Sequence, residues 1–256
     1  MHPILFSIGP INVYTYGFTL ALAFLTAIWL TSRAAEREGI KREVIIELGT
    51  YVLIAAIVGA RAGDVIINWD YYWQHPLDIV FSRQGFVFYG GFILGVMVSV
   101  LFILRRKLPL WKMADIISPS IAIGLAIGRI GCFCFGCCYG KPTESTIGVV
   151  FPSGSPAHIH FGDQPVHPTQ LYSSANGLAL FLILLFIRQV KGFEGRVFVS
   201  FLFLYSLARF VIEEFRGDNP ELWLGLTPSQ WVSIGGGMAA VVLYKMLRKR
   251  GFRYRV

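Results

Sequence analysis

The stretch Ile121-Ala122-Ile123-Gly124-Leu125-Ala126-Ile127-Gly128-Arg129-Ile130-Gly131 decides how the chain is read. It is apolar on every side rather than along one stripe, the pattern of a helix surrounded by apolar material, yet it carries an arginine near its end. Extended back to Met113, it approaches the roughly 20 residues that cross a hydrocarbon core about 30 Å thick. Six further runs share this character, near 13–32, 44–67, 86–104, 171–187, 197–215 and 230–247. The sequence therefore predicts an all-α membrane protein, a polytopic bundle of about seven transmembrane helices. Composition agrees, with 55% hydrophobic and only 15% charged residues, against about 25% charge in soluble domains. A soluble domain and a disordered chain are excluded. Met1-His2-Pro3 offers neither a basic segment nor a small-residue cleavage site ahead of the first run, which is expected to be a permanent span.

Charge gives the orientation. The net charge is +8, from 23 Lys+Arg and 15 Asp+Glu, and such an excess suits either a nucleic-acid partner or the flanks of membrane spans. Seventeen of the 23 basic residues follow alternate spans: Arg33 to Arg42, Arg105 to Lys112, Arg188 to Arg196, and Lys245 to Arg255. The positive-inside rule sets those loops in the cytoplasm, with the N-terminus outside and the C-terminus inside. The nucleic-acid reading loses its motivation, while the C-terminal cluster suits anionic headgroups of the membrane lipids. The opposite loops, about 68–85, 132–170 and 216–229, are rich in Pro, Gly, His and aromatics. Function is expected at the outer leaflet, with a small head region about 132–170.

Ionisable residues inside spans are costly and mark function unless they pair. Arg61 and Asp64 are three apart and close enough to neutralise each other. Arg209 and Glu213 are four apart, with Tyr205 one turn earlier, so a polar stripe runs along an otherwise apolar helix. Arg129 has no acid within a helical turn. An arginine at that depth needs an anion, either a carboxylate from another helix, such as Glu213 or Asp64, or a ligand phosphate held by its planar donors. The phosphate present in every bilayer is that of a phospholipid. Tyr89-Gly90-Gly91 reads first as interfacial aromatic and small packing residues, and His167-Pro168-Thr169-Gln170 opens a span. Tyr14, Tyr16, Gly17, Gln230 and Ser233 border the same outer ends.

All four cysteines lie in Cys132-Phe133-Cys134-Phe135-Gly136-Cys137-Cys138. A metal site with His158, His160 or His167 has suitable ligand chemistry but lacks the paired C-x₂-C spacing of structural zinc. A Cys132–Cys137 disulfide suits an oxidising outer face, and small buried packing residues under Arg129 are the third reading. Packing or a disulfide ranks ahead of metal.

Together these motifs resemble one family, the bacterial prolipoprotein diacylglyceryl transferases, over nearly the whole chain. The resemblance rests on Tyr16-Gly17, Tyr89-Gly90-Gly91, Gly128-Arg129-Ile130-Gly131 with Gly136 and Gly140, and His167-Pro168-Thr169-Gln170-Leu171-Tyr172. It continues through Tyr205, Arg209-Phe210, Glu213, Gln230 and Ser233. It implies a single inner-membrane transferase domain spanning 1–256, working at the periplasmic face without a cofactor. Such an enzyme moves the sn-1,2-diacylglyceryl group of phosphatidylglycerol to the lipobox cysteine of a prolipoprotein and releases glycerol phosphate.

The resemblance further implies that Arg129 and Arg209 hold the phosphate and act in catalysis together with Tyr89 and His167. Tyr16, Tyr205, Glu213, Gln230, Gly90 and Gly91 then bind the lipid, and no residue binds a metal. Two departures stand out. Tyr89 replaces the usual histidine, and a phenol is a poor base at neutral pH; Cys132 and Cys137 replace the usual Asn and Glu. Two other readings compete: a non-catalytic homologue that binds anionic lipid, and a thiol-redox or metal-handling membrane protein built on Cys132 to Cys138.

Overall fold

The computed structural model describes residues 4–9, 11–82, 85–190, 192–220 and 222–253. Met1-His2-Pro3, Arg83, Lys191 and Arg255 of the sequence reading lie outside the described residues. The order is β1 (Ile4–Ile8), β2 (Ile11–Tyr14), α1 (Thr15–Glu36), α2 (Arg42–Ile67), α3 (Trp69–Gln74), α4 (Asp78–Phe81) and α5 (Phe88–Arg105). There follow α6 (Leu110–Phe135), α7 (Pro156–Phe161), α8 (Thr169–Gln189), α9 (Arg196–Glu214) and α10 (Pro228–Arg253).

Each expected apolar run is a long helix. Of these, α1, α2, α5, α6 and α8 are long and apolar enough to cross a membrane, and the chain is a multi-pass α-helical membrane protein. Large apolar side chains along them face outward, among them Leu25, Ile54, Val58, Ile93 and Leu182, a display that only lipid tolerates on this scale. Two boundaries differ from expectation. The first run was expected from residue 13, but Ile11–Tyr14 pair with Ile4–Ile8 as an antiparallel hairpin, so α1 starts at Thr15. The fourth run was expected to stop at 131, yet α6 continues through Cys132 and Cys134 to Phe135.

The chain folds as two compact units, one of residues 31–113 and the other of residues 1–30 with 114–256. In the first, α2 packs on α5 by glycine contact: a Cβ on Gly59 would stand 2.5 Å from the Gly90 carbonyl oxygen, and one on Gly91 would stand 2.7 Å from that of Ala56. In the second, Ala122 of α6, Leu180 and Leu184 of α8, and Val197 and Phe201 of α9 share a core. Asp115 within α6 accepts hydrogen bonds from the backbone N–H groups of Gly195 (2.7 Å) and Phe198 (2.8 Å). Its carboxylate thereby caps the start of α9, where unsatisfied N–H groups and the helix dipole favour an anion. Between α6 and α8, Tyr139, Phe151, Ala157 and Val166 form a small core of their own, and Val149 and Val166 exchange backbone hydrogen bonds (3.0 and 3.1 Å).

Candidate active site

Arg129 sits in the last two turns of α6. Two residues on, Gly131 permits α1 to approach, since a Cβ there would collide with Thr19 Oγ1. This close approach brings Tyr16, 42% exposed, alongside the end of α6, with its ring 6.3 Å from that of Phe135. Arg129 is half-buried, and among the described residues it has no ion-pair or hydrogen-bond partner. Its charge is near enough to act on Tyr16, Cys138 and Arg209.

Arg209 on α9 differs. One terminal nitrogen (NH1) lies 2.5 Å from Glu213 Oε2, and the other (NH2) donates to Ser229 Oγ at 3.0 Å. Glu213, 2% exposed, accepts at Oε1 from Thr227 Oγ1 (3.0 Å) and from Asn219 Nδ2. Its Oε2 has no hydrogen-bond donor among the described residues and is held by charge, from Arg209 and from Arg216 Nε at 3.9 Å. Tyr205 stacks on Phe201 with ring centroids 5.7 Å apart. Gln230 is committed as well: Thr227 and Gln230 form a reciprocal capping box at the start of α10, Thr227 N–H donating to Gln230 Oε1 (2.9 Å) and Gln230 N–H to Thr227 Oγ1 (3.3 Å). Gln230 Nε2 then donates to Glu214 Oε1 at 2.5 Å. Glu213 thus holds Arg209 by charge, and Gln230 ties the start of α10 to Glu214 at the end of α9.

Arg216, assigned by sequence only to an outer loop, belongs to this group. It is buried and grips Asp218 through two bonds, Nε to Oδ1 (2.8 Å) and NH2 to Oδ2 (2.6 Å). That carboxylate holds the guanidinium above its usual range against the opposing effect of burial. Backbone contacts explain how Arg216 reaches the cysteines: Lys141 N–H donates to Phe215 O (2.8 Å), Gly217 N–H to Tyr139 O (3.1 Å), and His167 N–H to Lys141 O (3.0 Å). Residues 139–141 thus run between the start of α8 and the end of α9. His167 stands at this junction, Nδ1 at 3.1 Å from Tyr172 Oη and its ring against Phe215.

At the end of α6 the chain reverses. Gly136 has φ of 81°, the left-handed conformation that a residue without Cβ adopts at a helix C-terminus, and both Gly136 N–H (2.9 Å) and Cys137 N–H (3.2 Å) donate to Cys132 O. The reversal folds Cys137 and Cys138 back onto Cys132, so that the three sulfurs lie within 4.8 Å of one another. All four cysteines are free thiols. Hydrogen bonds from Cys132 and Cys137, then the charges of Arg216 and Arg129, hold the Cys138 thiol below its usual range. Cys137, bonded to the same neighbours and partly desolvated, is pushed up. None of the three histidines considered as metal partners joins the group: His158 lies 3.5 Å from Asp163, His160 packs on Tyr139 and Phe161, and His167 on Phe215.

The remaining sequence candidates belong to the other unit. Arg61 is 3.9 Å from Asp64, but its main bonds are to backbone carbonyls: Nε to Ile79 O (2.8 Å), NH1 to Gly85 O (3.0 Å), and NH2 to Asp78 O. Asp64 accepts from Tyr72 Oη (2.6 Å) and Asn68 Nδ2 (3.0 Å). Neither acid suggested for Arg129 is available to it, because Asp64 is committed here and Glu213 to Arg209. Tyr89 is 49% exposed beside Phe88, while Gly90 and Gly91 are taken up by packing on α2, the reading first drawn from their pattern. Sequence reasoning missed Arg216, Asp218, Asn219 and Ser229, because tertiary contacts rather than helical spacing bring them to Glu213 and Arg209. The Thr227-x-x-Gln230 spacing was a legible capping signal.

A family model described as prolipoprotein diacylglyceryl transferase matches residues 3–246. The chain is similar to proteins named phosphatidylglycerol-prolipoprotein diacylglyceryl transferase in several bacteria. It is 32% identical to that of Bacillus velezensis over 255 residues, 98% of this chain and 94% of the relative. To that of Clostridium tetani it is 32% identical over 252 residues, 98% and 99% of the two chains. To that of Bacillus mycoides it is 36% identical over 248 residues, 95% and 91%.

Proposed function

This chain belongs to the prolipoprotein diacylglyceryl transferase family, and on that footing we propose that it transfers the sn-1,2-diacylglyceryl group of phosphatidylglycerol to the lipobox cysteine of prolipoproteins. The observation that carries the site assignment is Arg129, a half-buried arginine on an apolar helix with no partner among the described residues. A lipid phosphate supplies the anion such a group requires.

In this reading the substrate thiol loses its proton, since the thiolate is the nucleophile. Sulfur attacks the glycerol carbon that bears the phosphate; the C–S bond forms as the C–O bond breaks, and the electron pair leaves on glycerol phosphate. Arg129 offsets the charge that develops there. Arg209, held by Glu213 and Ser229, adds a second fixed positive charge, and Gln230 keeps its supporting helices in register. Tyr16 and Tyr205 border the headgroup. His167 and Tyr89 are the two candidates for the proton, and Gly90 and Gly91 contribute through the packing of α5. The whole chain acts as one seven-span domain in the bacterial inner membrane, N-terminus out and C-terminus in, with its site and the 132–170 head region toward the outer face. The 17 basic residues on alternate loops support that orientation.

The test supplies purified protein with phosphatidylglycerol and a lipobox peptide. The expected result is a thioether-linked diacylglyceryl peptide and one glycerol phosphate per product. Lipid binding without product from folded protein, while an active relative succeeds in parallel, would turn the assignment into that of a lipid-binding homologue.

A further inference from the structure

We propose that Cys132, Cys137 and Cys138 form a binding site for a thiophilic divalent cation of the zinc class, three thiolates with the fourth coordination position open. The inference goes beyond the transferase reading and does not depend on it. It rests on convergence: the three sulfurs lie within 4.8 Å of one another, and tetrahedral coordination with metal–sulfur bonds of about 2.3 Å sets sulfurs about 3.8 Å apart. A contraction of about an ångström or less therefore closes the set.

The backbone is arranged to hold this convergence. The Gly136 reversal returns the chain onto Cys132, and Cys138 itself adopts a φ of 59°, a left-handed conformation that side-chain-bearing residues rarely adopt and that persists only where surroundings enforce it. Two buried side chains from the start of α8 do so: Thr169 Oγ1 donates to Cys138 O and Gln170 Nε2 to Cys137 O, each at 2.7 Å. Thr169 and Gln170 are 1% and 0% exposed. The sulfurs are thus fixed from behind rather than carried on a loose loop.

Charge agrees as well. Three thiolates around a divalent cation leave one net negative charge, which Arg129, one helical turn before Cys132 on α6, is placed to offset. Simple packing has no need to bring three thiols to one point. Cys134, in the same run, is outside the group, which makes it an internal control. A bound ion would tie the end of α6, and with it Arg129, to the anchored turn.

The experiment titrates the full, detergent-purified, anaerobically reduced protein with cadmium, read by thiolate-to-metal charge-transfer absorption, and records zinc X-ray absorption on the wild-type chain. One cadmium per chain and three sulfur neighbours at about 2.3 Å from zinc are expected. Cys137→Ser, which removes a direct ligand, is expected to weaken cadmium binding by more than the roughly hundredfold at the upper end of what outer-shell partners contribute, while Cys134→Ser binds as the parent does. The wild-type spectrum does not depend on any variant folding. No stoichiometric uptake by the reduced chain, a nitrogen or oxygen donor set, or uptake that survives Cys132→Ser, Cys137→Ser and Cys138→Ser together would overturn the site.

Discussion

Arg61 and Arg129 are both arginines on apolar helices, yet the chain treats them in opposite ways. Arg61 is surrounded by carbonyls of residues 78, 79 and 85 and by Asp64, so its charge fastens the segment after α2. Arg129, likewise half-buried on a long apolar helix, has no such partner among the described residues. An arginine at membrane depth is thus not functional merely by being there; what matters is whether the fold itself completes its donors. Arg209 falls between the two, paired with Glu213 but within the electrostatic reach of Arg129.

The comparison can be broken in four places. Arg129→Ala should reduce turnover by about a thousandfold, the scale of losing one donor aimed at developing charge, while the unfolding transition stays where it was; normal turnover would remove Arg129 from the site. Glu213→Ala leaves the Arg209 charge buried without its partner and should lower stability by about 3–5 kcal/mol in denaturant unfolding. Arg61→Met should cost about 2–3 kcal/mol of stability but leave turnover per folded molecule unchanged, and a selective loss of turnover would erase the contrast with Arg129. Smallest is Tyr89→Phe, where loss of one hydroxyl contact should lower kcat about fivefold. A fall of about a hundredfold or more would make its hydroxyl the proton acceptor instead.

Much of this was legible in the sequence. Apolar length gave the long helices, and the spacing of Arg209 and Glu213 placed both on one polar stripe, where the structure pairs them. What was hidden came from partners far along the chain. Spacing pointed to Asp64 for Arg61, yet the carbonyls that hold it come from residues 17 to 24 positions away, in a segment with no periodic signal. Arg216 read as a loop charge for the same reason, because its approach to the cysteines depends on residues 139–141 pairing with 215–217. The N-terminal hairpin was missed because Val13 and Tyr14 lead into the apolar helix with no charged residue, Gly or Pro between. Among the cysteines, composition allowed packing, disulfide and metal alike; only the left-handed turn at Gly136 determines which sulfurs meet.

The most direct test of the contrast between the two arginines is the affinity of the wild-type, Arg129→Ala and Arg61→Met proteins for glycerol phosphate, measured by equilibrium binding in detergent. Loss of a charged hydrogen-bond donor predicts that Arg129→Ala binds about ten- to a hundredfold more weakly, while Arg61→Met binds as the wild type does. Undiminished binding by Arg129→Ala, with loss in a folded Arg61→Met, would contradict the account.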